Sequence, residues 1–195
     1  LDYVCVDDNR VWGCHYGSDG NGGIVNEIYA SKLGDFKNWY TYAGVATDSY
    51  ALSVGLDGEW TGCISYKGYP TFFKEDAVMR IFGSMPSEYQ LTVNTCRGVQ
   101  KGSHKSMAIL REYLVYKSAT DVVMYDGSST SSISAQLGRE NMFYDGVGGA
   151  CGNKYYLDVQ TATGRHYFFI YDVQYNLWER EDALNMKMFT SSENG

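Results

Sequence analysis

The chain has 195 residues, 44% of them hydrophobic, and carries 16 Lys and Arg against 23 Asp and Glu for a net charge of −7. That length suits about one domain with a packed core, and the acidic balance argues against nucleic acid as a partner and against a polybasic membrane anchor. The longest purely apolar run, Tyr167 to Tyr171, falls far short of the ~20 residues that cross a bilayer, so no membrane insertion is expected. The opening residues lack the charged-then-apolar pattern of a secretory leader, and a start at Leu1 reads as a piece of something longer.

In chain order, turn chemistry punctuates short apolar runs. Val4 to Val6 and Val11 to Cys14 flank Asp7, Asp8 and Asn9, a hairpin signal, and the Gly17 to Gly23 stretch predicts a loop before Ile28 and Tyr29. Trp60 to Ser65 and Tyr69 to Phe73 flank Lys67-Gly68, a second hairpin, and Gly83 to Pro86 divides Val78 to Phe82 from Tyr89 to Thr95. Ser106 to Lys117 fits either an amphipathic helix or a hairpin with Arg111-Glu112 at its tip. Val122 to Tyr125 ends at Asp126-Gly127, a two-residue turn dipeptide. Tyr155, Leu157 and Val159 alternate with polar positions. Thr163-Gly164 then turns the chain into His166 to Tyr171, and Val173 to Asn176 turns it towards Trp178. Glu181 to Met188 has the same ambiguity between helix and hairpin, its residue types favouring helix.

The expected fold class is all-β, a β-propeller of four-stranded antiparallel blades. Roughly sixteen strands at ~45 residues per group of four match a blade period. The groups run 1–50, 51–96, 97–142 and 143–195, as a single propeller domain or a fragment of a larger ring. Three echoes support repetition: Lys74-Glu75-Asp76-Ala77 with Arg180-Glu181-Asp182-Ala183, Tyr125-Asp126-Gly127 with Tyr144-Asp145-Gly146, and Ser31 to Gly34 with Ser134 to Gly138.

Chemistry-bearing motifs are sparse. Asp19-Gly20-Asn21-Gly22-Gly23 begins like a calcium loop but places Ala30 at the twelfth position, where a bidentate Glu belongs. His15, His104 and His166 have no partner at zinc-ligand spacing. Ser103-His104 sits in no nucleophile elbow, and Gly98 to Ser103 lacks the ending of a phosphate loop. Glu75, Asp76, Glu181 and Asp182 are the carboxylates a glycosidase would need, yet as equivalent members of a repeat they read as strand-end charges. The sialidase Asp-box is missed, since Asp57-Gly58-Glu59-Trp60 has Gly55 in place of Ser and Glu59 in place of Gly. No catalytic, metal or cofactor residue is therefore assigned, and no enzyme activity or cofactor is expected. Cys5, Cys14, Cys63, Cys96 and Cys151 are odd in number and widely spaced, which predicts buried thiols in a reducing cytosol. Eighteen Tyr and four Trp exceed what a core of this size needs; such rings suit protein interfaces or sugar faces, and Tyr is equally a good strand residue with its hydroxyl at the surface.

One family resemblance runs through the chain. Asn26 to Trp39, with Asn9 to Cys14 upstream, resembles segments of β-propeller structural proteins of tailed phages and prophages. Tyr69 to Gly83 with its Phe-Phe-Lys-Glu-Asp core, Gly102 to Ser106, Leu114 to Gly138 and Tyr155 to Asp182 continue it. The resemblance implies a non-catalytic virion component of the tail or neck, assembled in the bacterial host cytoplasm through contacts with other virion proteins or copies of itself. It favours the hairpin reading of Ser106 to Lys117. A carbohydrate- or receptor-binding propeller, with cell-surface glycan as partner, is the alternative, and a glycoside-active enzyme the third reading.

Overall fold

The computed structural model describes residues 1–137, 142–181 and 184–190. Its contacts divide the chain into two compact units, Leu1–Thr95 and Cys96–Gly195. In the first unit β1 (Tyr3–Asp7), β2 (Arg10–Ser18), β3 (Ile24–Ala30) and β4 (Tyr50–Ser53) make one antiparallel sheet. A second sheet follows from β5 (Gly62–Tyr66), β6 (Tyr69–Phe73), β7 (Ala77–Phe82) and β8 (Gln90–Thr95). The second unit repeats the plan with β9 (Ala108–Leu110), β10 (Tyr113–Lys117), β11 (Val122–Tyr125) and β12 (Thr130–Ser132). Its other sheet is β13 (Tyr144–Cys151), β14 (Lys154–Gln160), β15 (His166–Asp172) and β16 (Leu177–Glu181). The expected all-β class and its four-stranded blades are what the chain forms, each blade a meander in sequence order.

The regular feature of the four sheets is the turn between first and second strands. Asp7 pairs with Arg10, Tyr66 with Tyr69, Leu110 with Tyr113 and Cys151 with Lys154, leaving a two-residue connection each time. The first turn residue has positive φ in every case: Asp8 at 45°, Lys67 at 53°, Arg111 at 56° and Gly152 at 59°. This left-handed geometry matches the twist of the strands it joins. It also resolves the ambiguous Ser106 to Lys117 segment as a hairpin.

The short sequence echoes do not mark equivalent places. Lys74 to Ala77 turns from the second strand of its sheet into the third, whereas Arg180 and Glu181 lie within a fourth strand. Tyr125 ends a third strand while Tyr144 begins a first one. Ser31 follows a third strand and Ser134 a fourth; Gly138, Asp182 and Ala183 lie outside the described residues. The expected boundary at 50/51 cuts into β4, which pairs with β3 from Ala30↔Tyr50 to Glu27↔Ser53. The cause is the long excursion 31–49 between those two strands. Asp126-Gly127 is not a two-residue turn either. Asp126 Oδ1 accepts the amides of Ser128 and Ser129 at 2.7 and 2.8 Å, widening the connection to β12. Of the ambiguous Glu181 to Met188, Glu181 is strand and 184–188 forms no helix.

Each unit has its own core. In the first, Trp12, Cys14 and Ile28 meet Phe72, Met79 and Ile81 between the sheets. In the second, Leu110 and Val115 meet Tyr155, Leu157, Phe169 and Trp178. One indole in each unit also bonds across: Trp60 Nε1 donates to His15 O at 3.2 Å, and Trp178 Nε1 to Ile133 O at 2.7 Å. Burying rings this way combines apolar area with a satisfied donor.

Candidate functional site

The first unit holds its most organised surface in loop 31–49. Arg10, the first residue of β2, is only 2% exposed, and its guanidinium projects into the loop. Nη1 donates to Ser31 O at 2.8 Å and to Asp48 O, and Nη2 donates to Ala46 O at 2.8 Å. Arg suits this position because its planar fork offers several donors in fixed directions. Asp48 supplies the second fastening, accepting the Gly44 amide at 2.6 Å and the Val45 amide at 3.0 Å. Burial alone would raise its carboxyl, but the amides of Val45, Gly44 and Ala43 outweigh that and hold it below the usual carboxylate range. Backbone links complete the clasp: Lys32 N to Asn38 O at 2.7 Å, Leu33 N to Thr47 O at 3.0 Å, and Gly34 N to Asn9 O at 3.0 Å.

Among the side chains that the loop displays are three large rings. Phe36 is 63% exposed, Tyr40 86% and Tyr42 61%. Phe36 also lines a shallow groove of about 330 Å³ with Val6, Asn9, Arg10, Val11 and Gly34. Val6 in that groove is 67% exposed, and Val4 on the same face of β1 is exposed as well. A pinned loop and an edge strand thus present rings and aliphatic side chains to solvent, an arrangement typical of binding surfaces.

Two concavities accompany it. In the first unit, Asp7, Asp8, Trp12, Tyr69 and Tyr89 line a cleft of about 390 Å³ beside the β1–β2 and β5–β6 turns. In the second unit a cavity of about 400 Å³ has an apolar floor of Phe143, Leu157, Val159 and Phe169. Its polar rim includes Arg97 and Asp121, paired at 2.7 Å, and the buried Lys117. The Lys117 ammonium donates to Ser118 O and Ala119 O, and burial pushes it down to about 8.

The residues singled out from the sequence are placed as follows. Glu75 and Asp76 lie on the exposed β6–β7 turn of the first unit. Glu181 ends β16 in the second unit, and Asp182 falls outside the described residues. Ser103 Oγ donates to Gln100 Oε1 at 3.1 Å and accepts the Gly146 amide at 2.9 Å, a structural role beside His104. His166 Nδ1 meets Asp158 Oδ2 at 3.0 Å, and His15 Nδ1 meets Asp2 Oδ1 at the same distance. Asp19 Oδ1 accepts the Asn21 and Gly23 amides at 2.7 and 2.9 Å, closing the glycine-rich loop on itself. Among the described residues no three His, Cys, Asp or Glu side chains gather as a metal site. The thiols are not uniformly buried: Cys14 and Cys63 are, Cys5 and Cys96 are half-buried, and Cys151 is exposed. Sequence reasoning missed Arg10, Asp48 and Lys117, whose partners are backbone carbonyls and amides that carry no residue-specific signal.

Fold and surface together define a class: a blade-built all-β scaffold with a fastened, ring-bearing loop. No family model and no curated protein matches this chain. Among solved structures it is similar to a GH43 glycoside hydrolase engineered to display both endo-xylanase and exo-arabinofuranosidase activity. The identity is 11% and the TM-score 0.43, over 98% of this chain and 42% of that one. The chain therefore spans less than half the length of that structure.

Proposed function

We propose that this protein is a non-catalytic assembly component that works through protein–protein contacts, with loop 31–49 and the adjoining face of β1 as its contact surface. The setting follows from the resemblance: a virion protein of the tail or neck of a phage or prophage, put together in the host cytoplasm, with another virion protein as the occupant of this surface. The observation that carries the reading is the exposure of Phe36, Tyr40 and Tyr42 on a loop whose backbone is fastened by Arg10 and Asp48. Aromatic side chains on a rigid support bury large areas at low entropic cost. The test is a chain bearing Phe36→Ser, Tyr40→Ser and Tyr42→Ser together. It should fold as the parent does, because these rings are exposed, yet fail to co-purify with particle proteins. Full incorporation of the folded triple variant would refute the proposal.

A second reading rests on the cleft in the first unit. Rings of Tyr69 and Tyr89 beside the carboxylates of Asp7 and Asp8 suit a sugar, whose apolar face stacks while its hydroxyls donate to carboxylates. Binding on an array of bacterial cell-surface glycans, lost in Asp8→Ala and Tyr69→Ala, would support it. An array with no positive glycan would remove it.

A further inference from the structure

We propose that Cys5 and Cys63 form a dithiol–disulfide couple, a modification site that staples the two sheets of the first unit together. β1 and β5, the first strands of those sheets, are neighbours. Cys63 Sγ lies 2.8 Å from Cys5 Sγ, less than an ångström beyond a disulfide bond of ~2.05 Å. The approach is registered and not incidental. Two residues further along both strands, Ser65 Oγ donates to Asp7 Oδ1, and both pairs share the sequence separation of 58. The two strands therefore run side by side in a fixed alignment that keeps the sulfurs facing.

The two thiols have different tasks. Cys5 is half-buried and Cys63 is buried, so an external oxidant meets Cys5 first. Burial also pushes the Cys63 thiol up, and the nearby Cys5 adds to this, which leaves Cys63 as the resolving partner. The oxidant is a low-molecular-weight disulfide, RSSR. The Cys5 thiolate attacks it, forming Cys5–S–S–R and releasing one RS⁻. The Cys63 thiolate then attacks the Cys5 sulfur, forming the Cys5–Cys63 bond and releasing the second RS⁻. The protein loses two electrons and two protons in all, and RSSR becomes two RSH. Cys14, buried in the same core with its thiol bonded to Tyr3 O at 4.0 Å, takes no part.

The experiment treats the reduced, folded protein with oxidised glutathione, blocks remaining thiols with iodoacetamide, and maps peptides without reduction. The expected product is a peptide pair joined through Cys5 and Cys63, absent in Cys5→Ser and in Cys63→Ser. The oxidised parent should melt at a higher temperature than the reduced one, and dithiothreitol should reverse the shift. If either variant fails to fold, the peptide map of the parent decides alone. A stable glutathione adduct on Cys5 with Cys63 still alkylated would overturn the proposal, as would a cross-link to Cys14 or no oxidation of the pair.

Discussion

Arg10 carries a full charge at 2% exposure and donates to three carbonyl oxygens. Charge-assisted hydrogen bonds of this kind contribute about 1.5–3 kcal/mol each, and a buried acceptor left alone costs a similar amount. Arg10→Met should therefore destabilise the first unit by about 3 kcal/mol and release loop 31–49. Denaturant unfolding and hydrogen exchange of the 31–49 amides would show both effects, and protection left intact would contradict the clasp. Lys117 makes the opposite kind of prediction. Its folded value of about 8 lies below the ordinary 10.5, so between those limits the unfolded chain holds the proton and the folded chain does not. Stability contributed at this residue thus rises with pH through that window, by up to about 3 kcal/mol. Subtracting the profile of Lys117→Met isolates it from the tyrosines, several of which have hydroxyls pushed up by burial. A flat difference between pH 8 and 10 would rule it out.

At the scale of elements, the segment 184–190 lies across the sheet of β13 to β16. The Met186 amide donates to Asp158 Oδ2 at 3.0 Å, and the Phe189 ring stacks on Tyr156 with centroids 5.6 Å apart. The ring sits where a side chain at Gly149 would be. Gly149→Ala should then displace Phe189, cost about 1–3 kcal/mol, and expose 184–190 to protease. Phe189→Ala in the same chain should recover part of that loss, since the two sites share one space. Hairpins were the elements most legible in the sequence, because Asp8-Asn9 and Lys67-Gly68 state their turn geometry locally. β13 was not legible. Tyr144–Cys151 contains three glycines, weak strand formers, and the fit of Gly148 and Gly149 depends on Tyr155, Tyr156 and Phe189 approaching from elsewhere. The candidate surface was half legible: the sequence offered an excess of rings, but which of them are displayed depends on Arg10, reaching 36–38 residues ahead, and on the Asp48 fastening within the loop.

At the scale of the whole molecule, the net charge of −7 predicts that the chain passes through immobilised duplex DNA at low salt. Retention there would contradict the absence of nucleic acid among its expected partners. The sulfur couple belongs to this scale too. If disulfide stability arises from lost chain entropy, a bond closing a span of 58 residues restricts the unfolded chain by about 4 kcal/mol. The sequence-order meanders give a reason why blades were easier to foresee than the couple. Ladder pairing is between neighbours in the chain, whereas Cys5 and Cys63 belong to different blades.

The clasp around the β3–β4 excursion grips main-chain oxygens, and those oxygens are the same whatever amino acids carry them. Substitutions at Phe36, Tyr40 or Tyr42 leave the grip of Arg10 untouched. On the reading proposed above, the display can therefore be rewritten without rebuilding its mount, so that a new partner would require new side chains but no new loop.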